Sequence, residues 1–194
     1  MRSRTTPDLP GRCKRCWVLE AGCVCGSVPH LETRTRLVVV RHWKEQFKTT
    51  NTARLAALAL PNLSIVDYGA PGNPFNLESL NLDTPWILFP DASSAPREDR
   101  PRTLIVLDGT WAQARQMAHR APGLARLPRL ALPPPVQAPA RLRAPPHPDG
   151  MATIEALGHA LRLLEGPEVG DALLDLHDLY VSAVLRTRTG GGGD

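Results

Sequence analysis

The stretch Thr103-Leu104-Ile105-Val106-Leu107-Asp108-Gly109-Thr110-Trp111 decides how this 194-residue chain is read. Its apolar run predicts a buried strand that ends at a single carboxylate. Gly109 permits a tight turn, Thr110 is a helix-capping type, and Trp111 to Ala118 carries strong helix formers. Asp108 therefore falls at the carboxyl end of a strand, where open α/β sheets gather their ligands. Spacing alone leaves two readings open: a site residue, or an aspartate that helps cap the next helix.

Working outward, Leu37–Val40, Leu63–Tyr68 and Trp86–Phe89 read as further strands, with a short one at Arg129–Leu132. Helical patterns run from Asn51 or Thr52 to Leu60, over Trp111–His119, over Met151–Leu164 and over Asp171–Leu185. A polar loop spans Arg41–Thr50, and Pro133–Asp149 is too rich in proline for regular structure. Strands alternating with helices predict an α/β fold, a mostly parallel sheet with flanking helices. The expected organisation is an N-terminal tail and cysteine knuckle over 1–30, an α/β domain over 31–188 and a short tail over 189–194.

Hydrophobic residues at 42% and charged residues at 22% fit a folded domain rather than a disordered chain. No apolar run approaches a membrane span, and the basic N-terminus lacks an apolar signal core, so the expected location is the cytoplasm. The net charge of +4 is unevenly placed. Residues 1–54 hold eleven Arg/Lys against four Asp/Glu, and residues 97–143 hold nine Arg against three acids. Two basic blocks on an otherwise acidic chain suit a polyanion such as RNA. Compositional bias is the competing explanation, since only three of the 23 basic residues are lysine and prolines number 20.

All four cysteines, Cys13, Cys16, Cys23 and Cys25, fall within thirteen residues. Thiolates at this spacing can converge on one tetrahedral zinc, and four sulfur ligands leave no open position, so such a zinc is structural. A disulfide framework and a Cys-x2-Cys redox pair are the alternatives, each disfavoured by the absence of a secretory signal and of a preceding strand. Arg12, Lys14, Arg15 and Trp17 decorate the knuckle, with Trp17 read either as a ring that stacks on RNA or as the knuckle's packing anchor.

Asp108-Gly109-Thr110-Trp111 with Ala112-Gln113-Ala114 resembles the signature of the DTW-domain family. The resemblance takes in the cysteine cluster, Arg41-His42-Trp43-Lys44-Glu45 with Thr50-Asn51-Thr52, and Phe89-Pro90-Asp91-Ala92. It continues through Leu142-Arg143 and Thr153-Ile154-Glu155-Ala156, and so covers nearly all of the chain. It implies a fold related to SPOUT transferases, knotted around the cofactor in the C-terminal half. It also implies an enzyme that moves the 3-amino-3-carboxypropyl group of S-adenosylmethionine to a tRNA uridine. Two positions depart from the family's usual pattern: His42-Trp43 stands where His-Pro or His-Arg is common, and Ala152-Thr153 where Ser-Thr is.

Such a transfer to N3 of uridine needs a base for the imide proton, a hold on the donor's amino-acid end, and alignment of the correct carbon. Asp108 is the first choice for the base, with Thr110 and Trp111 beside it in the catalytic set, Trp111 as a ring able to stack on a base. Asp91 is placed to hold a ribose hydroxyl, Arg143 to fork onto a carboxylate or phosphate, and Thr153 and Glu155 to meet the donor at a helix start. With Asp108 these form the cofactor set. His42, Glu45 and Asn51 form the substrate set. Each has a plainer reading, as a solvated loop, a turn residue or a helix-end charge. The rival functions are a SPOUT-like RNA methyltransferase and a zinc-containing RNA-binding module without catalysis. No Gly-x-Gly-x-x-Gly follows any strand, which disfavours a nicotinamide enzyme.

Overall fold

The structure, a computed structural model, describes residues 9–90, 100–133, 142 and 150–189. Among these, five strands form one parallel sheet in the order β2-β1-β4-β3-β5: β1 (Arg36–His42), β2 (Leu63–Tyr68), β3 (Pro85–Leu88), β4 (Thr103–Asp108) and β5 (Arg129–Leu130). The apolar runs are continuous because both sheet faces are covered. Leu37, Val39, Leu104 and Val106 point into one core layer, and Val38, Val40 and Ile105 into the other.

The helices divide between these faces. α1 (Ala53–Ala59), α3 (Thr153–Leu164) and α4 (Pro167–Thr189) cover the first, and α2 (Trp111–Arg120) covers the second through Met117 and Ala118. The chain thus leaves β1 toward one face and leaves β4 toward the other, although the two strands are neighbours with Arg41 in register with Asp108. Where adjacent strands send their connections to opposite faces, a crevice opens at their carboxyl ends. Asp108 stands in it.

The predicted α/β architecture holds, and the predicted elements are found within a few residues. The largest difference is α4, which begins at Pro167 rather than Asp171. Proline is well placed in a first helical turn, and Gly166 at φ 116° ends α3. Gly170 sits inside the helix where α3 and α4 meet. A Cβ on Gly170 would stand 2.6 Å from the carbonyl oxygen of Gly158 and 2.2 Å from Cγ of Arg162. The Pro-rich connection falls largely outside the described residues, and the expected knot with it.

The cysteine knuckle is not a separate appendage. Cys16, Val18 and Val24 belong to the same buried cluster as α1, α3 and α4, and Gly22 lies against Ala183 and Thr187 of α4. Gly170→Ala should destabilise the protein by about 1–3 kcal/mol, the usual consequence of overpacking, by prising α4 from α3. Urea unfolding measures it, and an unchanged midpoint would show that the contact is soft.

Candidate functional site

Asp108 ends β4 on the same face as Leu104 and Val106, so its carboxylate turns toward the α1/α3 layer and is 6% exposed. Both its oxygens are held by groups distant in sequence. Asn51 Nδ2 donates to Oδ2 at 2.5 Å, and the Thr153 hydroxyl donates to Oδ1 at 2.6 Å. Burial pushes the Asp108 carboxyl above the ordinary range, against the pull of Thr153 and Asn51. Glu45 adds to the rise, while Arg41 opposes it from a position committed to Asp67 at 2.8 Å. A buried carboxylate with raised proton affinity at a sheet switch point has the properties of a general base.

In front of it lies a cavity of about 620 Å³. Its polar wall includes Glu45, Lys48, Asn51, Thr52, Asp108, Thr110, Thr153, Glu155 and His177. Its apolar wall comes from Leu88, Phe89, Val106, Leu132, Leu142 and Met151, with Trp111 stacked on Phe89 at 6.3 Å and 10° between planes. The volume and mixed lining suit a small organic ligand with an apolar body and a charged end.

The structure brings together most of the residues singled out from sequence, and it gives several of them structural duties. Thr110 and Gln113 close a capping box: the Thr110 amide donates to Gln113 Oε1 at 2.7 Å, and the Gln113 amide donates to the Thr110 hydroxyl at 3.3 Å. Glu155, 1% exposed, reaches back to accept from the Ala152 amide at 3.0 Å, doing half of what the absent Ser at 152 would share. The Ile154 amide donates to the Thr52 hydroxyl at 3.3 Å. Asn51 Oδ1 is buried without a partner among the described residues. Asp91 and Arg143 lie outside the described residues.

His42 and Glu45 do share a helical turn, the 3-10 turn Trp43–Glu45 that His42 caps. Glu45 is buried and pairs with Lys48 at 2.6 Å. Burial and Lys44 push the His42 pKa below its ordinary value, with Glu45 pulling the other way. Sequence reasoning missed His177, which carries no motif and reads as one more residue of an amphipathic helix. It also missed Gln113 as a cap, although Thr-x-x-Gln before a helix is a legible signal.

The four cysteine sulfurs lie within 4.8 Å of one another, with Cys13–Cys25 at 3.6 Å and Cys16–Cys23 at 3.8 Å. A disulfide needs about 2.05 Å. Four sulfurs about 2.3 Å from a tetrahedral ion stand about 3.8 Å apart, so the cluster fits one metal ion. The amides of Cys16 and Arg15 pull the Cys13 thiol down to about 6, while burial and the other sulfurs push Cys25 up to about 12. A divalent cation relieves that mutual repulsion.

Trp17 settles as the packing anchor and not as a ring for RNA. It is 5% exposed at φ 62°, its carbonyl accepts from Arg12 at 2.9 Å, and the Arg54 guanidinium lies 3.0 Å above its ring. Arg54 also donates to the Gln46 carbonyl at 3.0 Å, and burial holds its pKa down to about 10.

The chain matches the DTW domain over residues 11–185. It is 28% identical to tRNA-uridine aminocarboxypropyltransferase 2 of Drosophila melanogaster, over 91% of this chain and 76% of that protein. It is 28% and 25% identical to the proteins of the same name from Mus musculus and Macaca fascicularis, over 79% of this chain and 56% of each of theirs. This chain therefore spans little more than half the length of the two mammalian relatives. No solved structure matches it.

Because the Asp108 carboxyl is pushed up, the protonated form is the one the fold favours. That contribution is complete at acid pH and is lost as pH rises through the raised folded value. Asp108→Asn should therefore gain stability relative to wild type as pH climbs from the ordinary carboxylate range through the raised folded value. Thermal unfolding of both proteins across that range measures the gap. A gap independent of pH would contradict the raised carboxyl.

Proposed function

The chain belongs to the DTW-domain family, and we propose that it transfers the 3-amino-3-carboxypropyl group of S-adenosylmethionine to N3 of a tRNA uridine, releasing 5'-methylthioadenosine. The activity for which the relatives are named supports the reaction class, and the placement of Asp108 carries the reading. A buried, proton-avid carboxylate faces a cavity large enough for the donor.

In the proposed step the uridine N3–H gives its proton to the Asp108 carboxylate. N3 then bonds to the terminal carbon of the carboxypropyl chain, the carbon–sulfur bond breaks, and its electron pair stays on sulfur, leaving a neutral thioether. The sulfonium is its own activated leaving group, so the protein supplies position and a base. Thr153 and Asn51 each hold one oxygen of Asp108, which fixes its direction. The apolar wall at Leu132, Leu142 and Met151 suits the adenosine, with Glu155 and Thr153 toward the amino-acid end. Glu45 and Asn51 in the cavity wall are assigned to the nucleotide, with His42 kept in the same set although it does not line the cavity, and Thr110 and Trp111 are assigned beside Asp108. Asp91 and Arg143 keep their proposed parts with ribose and carboxylate.

Zinc is the ion we assign to Cys13, Cys16, Cys23 and Cys25, in a folding role. Among the described residues no helix is long and apolar enough to cross a membrane. A location in the cytoplasm remains part of the proposal.

Incubation of the protein with tRNA and donor labelled in either the methyl or the carboxypropyl carbons separates the rivals. Label from the carboxypropyl chain in a modified uridine is expected, whereas methyl label would make the protein a methyltransferase. A protein that leaves both labels on the donor and still binds RNA would be the non-catalytic module. Asp108→Asn should lower turnover by about two to four orders of magnitude with donor affinity little changed, and higher assay pH should restore part of the rate. Full activity in the folded variant would remove Asp108 as the base. Cys16→Ser should lose the zinc seen by elemental analysis and lower Tm by about 5–10 °C, since the knuckle shares the main core. Wild type purified without metal would refute the assignment.

A further inference from the structure

A second cavity, of about 440 Å³, lies at the opposite end of the sheet from Asp108. Among the described residues its walls are Arg34, Arg36, Asn81, Asp83, Arg102 and Thr103. Arg36 and Thr103 are partners in register at the starts of β1 and β4, and the Arg36 amide donates to the Arg102 carbonyl at 2.8 Å. Strand pairing thus gathers arginines from both basic blocks of the sequence, 1–54 and 97–143, at one edge. β4 runs from Thr103 in this wall to Asp108 in the other, which sets the two sites about 17 Å apart along the strand.

The three guanidiniums are held in place without being sealed off. Arg36 Nη1 donates to the Leu80 and Asn81 carbonyls at 3.1 Å each, and among the described residues Arg36 meets no carboxylate. Arg102 Nη1 stands 3.3 Å from Asp83 Oδ2 with the two side chains 77% and 66% exposed, so solvent screens that pair. Arg34 Nε donates to Glu165 Oε2 at 3.1 Å, from a side chain that is 81% exposed. Glu165 also accepts from the Thr35 amide and hydroxyl at 2.8 and 2.6 Å, and it keeps those donors if Arg34 turns to another anion. Three guanidiniums against the one carboxylate of Asp83 leave the walls with a surplus of two positive charges. No apolar side chain lines this cavity among the described residues, so its chemistry selects an anion rather than an organic body.

We propose that the cavity of Arg34, Arg36 and Arg102 is a second contact for tRNA, an anchor for backbone phosphates at the sheet edge opposite the uridine cavity. The inference rests on the proposed tRNA substrate. Guanidinium forks match phosphate oxygens two at a time, and Arg36 is oriented for this before the ligand arrives. The long, exposed side chains of Arg34 and Arg102 suit a broad polyanion better than a single enclosed phosphate. Along a helical arm, one strand carries about five phosphates over the 17 Å or so between the two sites. Phosphate contacts fix register without reading sequence, so this edge positions the RNA while the Asp108 cavity selects the base.

The test is tRNA binding by wild type and by Arg34→Gln/Arg102→Gln, measured over a series of salt concentrations. Both side chains stand in solvent, so the double variant is expected to melt with wild type. Its tRNA affinity should fall by about tenfold to a hundredfold at low salt, and the slope of log K against log salt should shrink by about 1 to 2. KM for tRNA should rise while kcat and donor affinity hold, because a distant anchor binds ground state and transition state alike. Arg34→Lys/Arg102→Lys keeps the charge and should recover most of the slope. Arg102→Gln alone should move affinity in the same direction by a smaller amount. Unchanged tRNA affinity and slope in the double variant, or a fall in kcat at unchanged KM, would overturn the anchor. Calorimetry with inorganic phosphate reads the other source: tight phosphate binding lost in the double variant, with tRNA binding intact, would make this a free-anion site instead. Wild type that neither binds nor modifies tRNA would overturn the proposed substrate, whereas wild type that modifies tRNA beside an unaffected double variant would overturn the anchor alone.

Discussion

Three segments of this protein are tied together by one buried carboxylate. Asp108 ends the central strand β4, Asn51 precedes α1, and Thr153 opens α3, and the two hydrogen bonds between them cross 57 and 45 residues of chain. A hydrogen bond to a charged group contributes about 1.5–3 kcal/mol, whereas taking an ion out of water costs several kcal/mol. The raised proton affinity of Asp108 shows which effect wins: the donors offset burial only in part. A fold selected for stability alone would place an apolar residue here, as it does at Leu104 and Val106, four and two positions earlier. The tension is local, and it lies where the connections of β1 and β4 part to open a cavity.

What was legible in the sequence follows from the range of the forces involved. The strands read correctly because both faces of the sheet are covered, so Val38–Val40 and Leu104–Val106 are apolar without alternation. Asp108 was legible because a single carboxylate interrupts such a run. Its partners were not, since nothing in the spacing of Asn51 or Thr153 announces a hydrogen bond to β4, and only the family resemblance singled them out. Gly109 was read as a turn former, but its reason is the side chain packed over it, which depends on tertiary structure. Gly170 likewise owes its place inside α4 to the absence of a side chain facing Gly158.

The knuckle links the metal to this site through packing. Its residues Cys16, Val18 and Val24 join the core cluster, and the stacking of Arg54 on Trp17 fastens it to α1. Arg54 lies three residues after Asn51, and its Nη2 also holds the Gln46 carbonyl. Tyr180 of α4 donates to the Thr49 carbonyl at 3.1 Å from the other side. The loop that delivers Asn51 to Asp108 is thus clamped between the knuckle and α4. A metal that folds residues 13–25 stabilises that clamp without approaching the cavity, which is consistent with a closed four-sulfur site.

The same packing changes how the charge must be counted. The first basic block looked like a surface for a polyanion, yet Arg41 is buried against Asp67, Arg54 is sealed under Trp17, and Lys48 pairs with Glu45. Arg34 pairs with Glu165 yet keeps its side chain 81% exposed, so it stays accessible. Exposed cations in that block include Lys14 and Arg15 on the knuckle and Lys44 beside His42. An RNA releases counterions only where it meets an accessible charge, so a sequence count overstates the electrostatic contribution. Lys44 matters most in this light. Its Nζ lies 5.8 Å from the Trp43 ring, and it can meet a phosphate without breaking a buried pair.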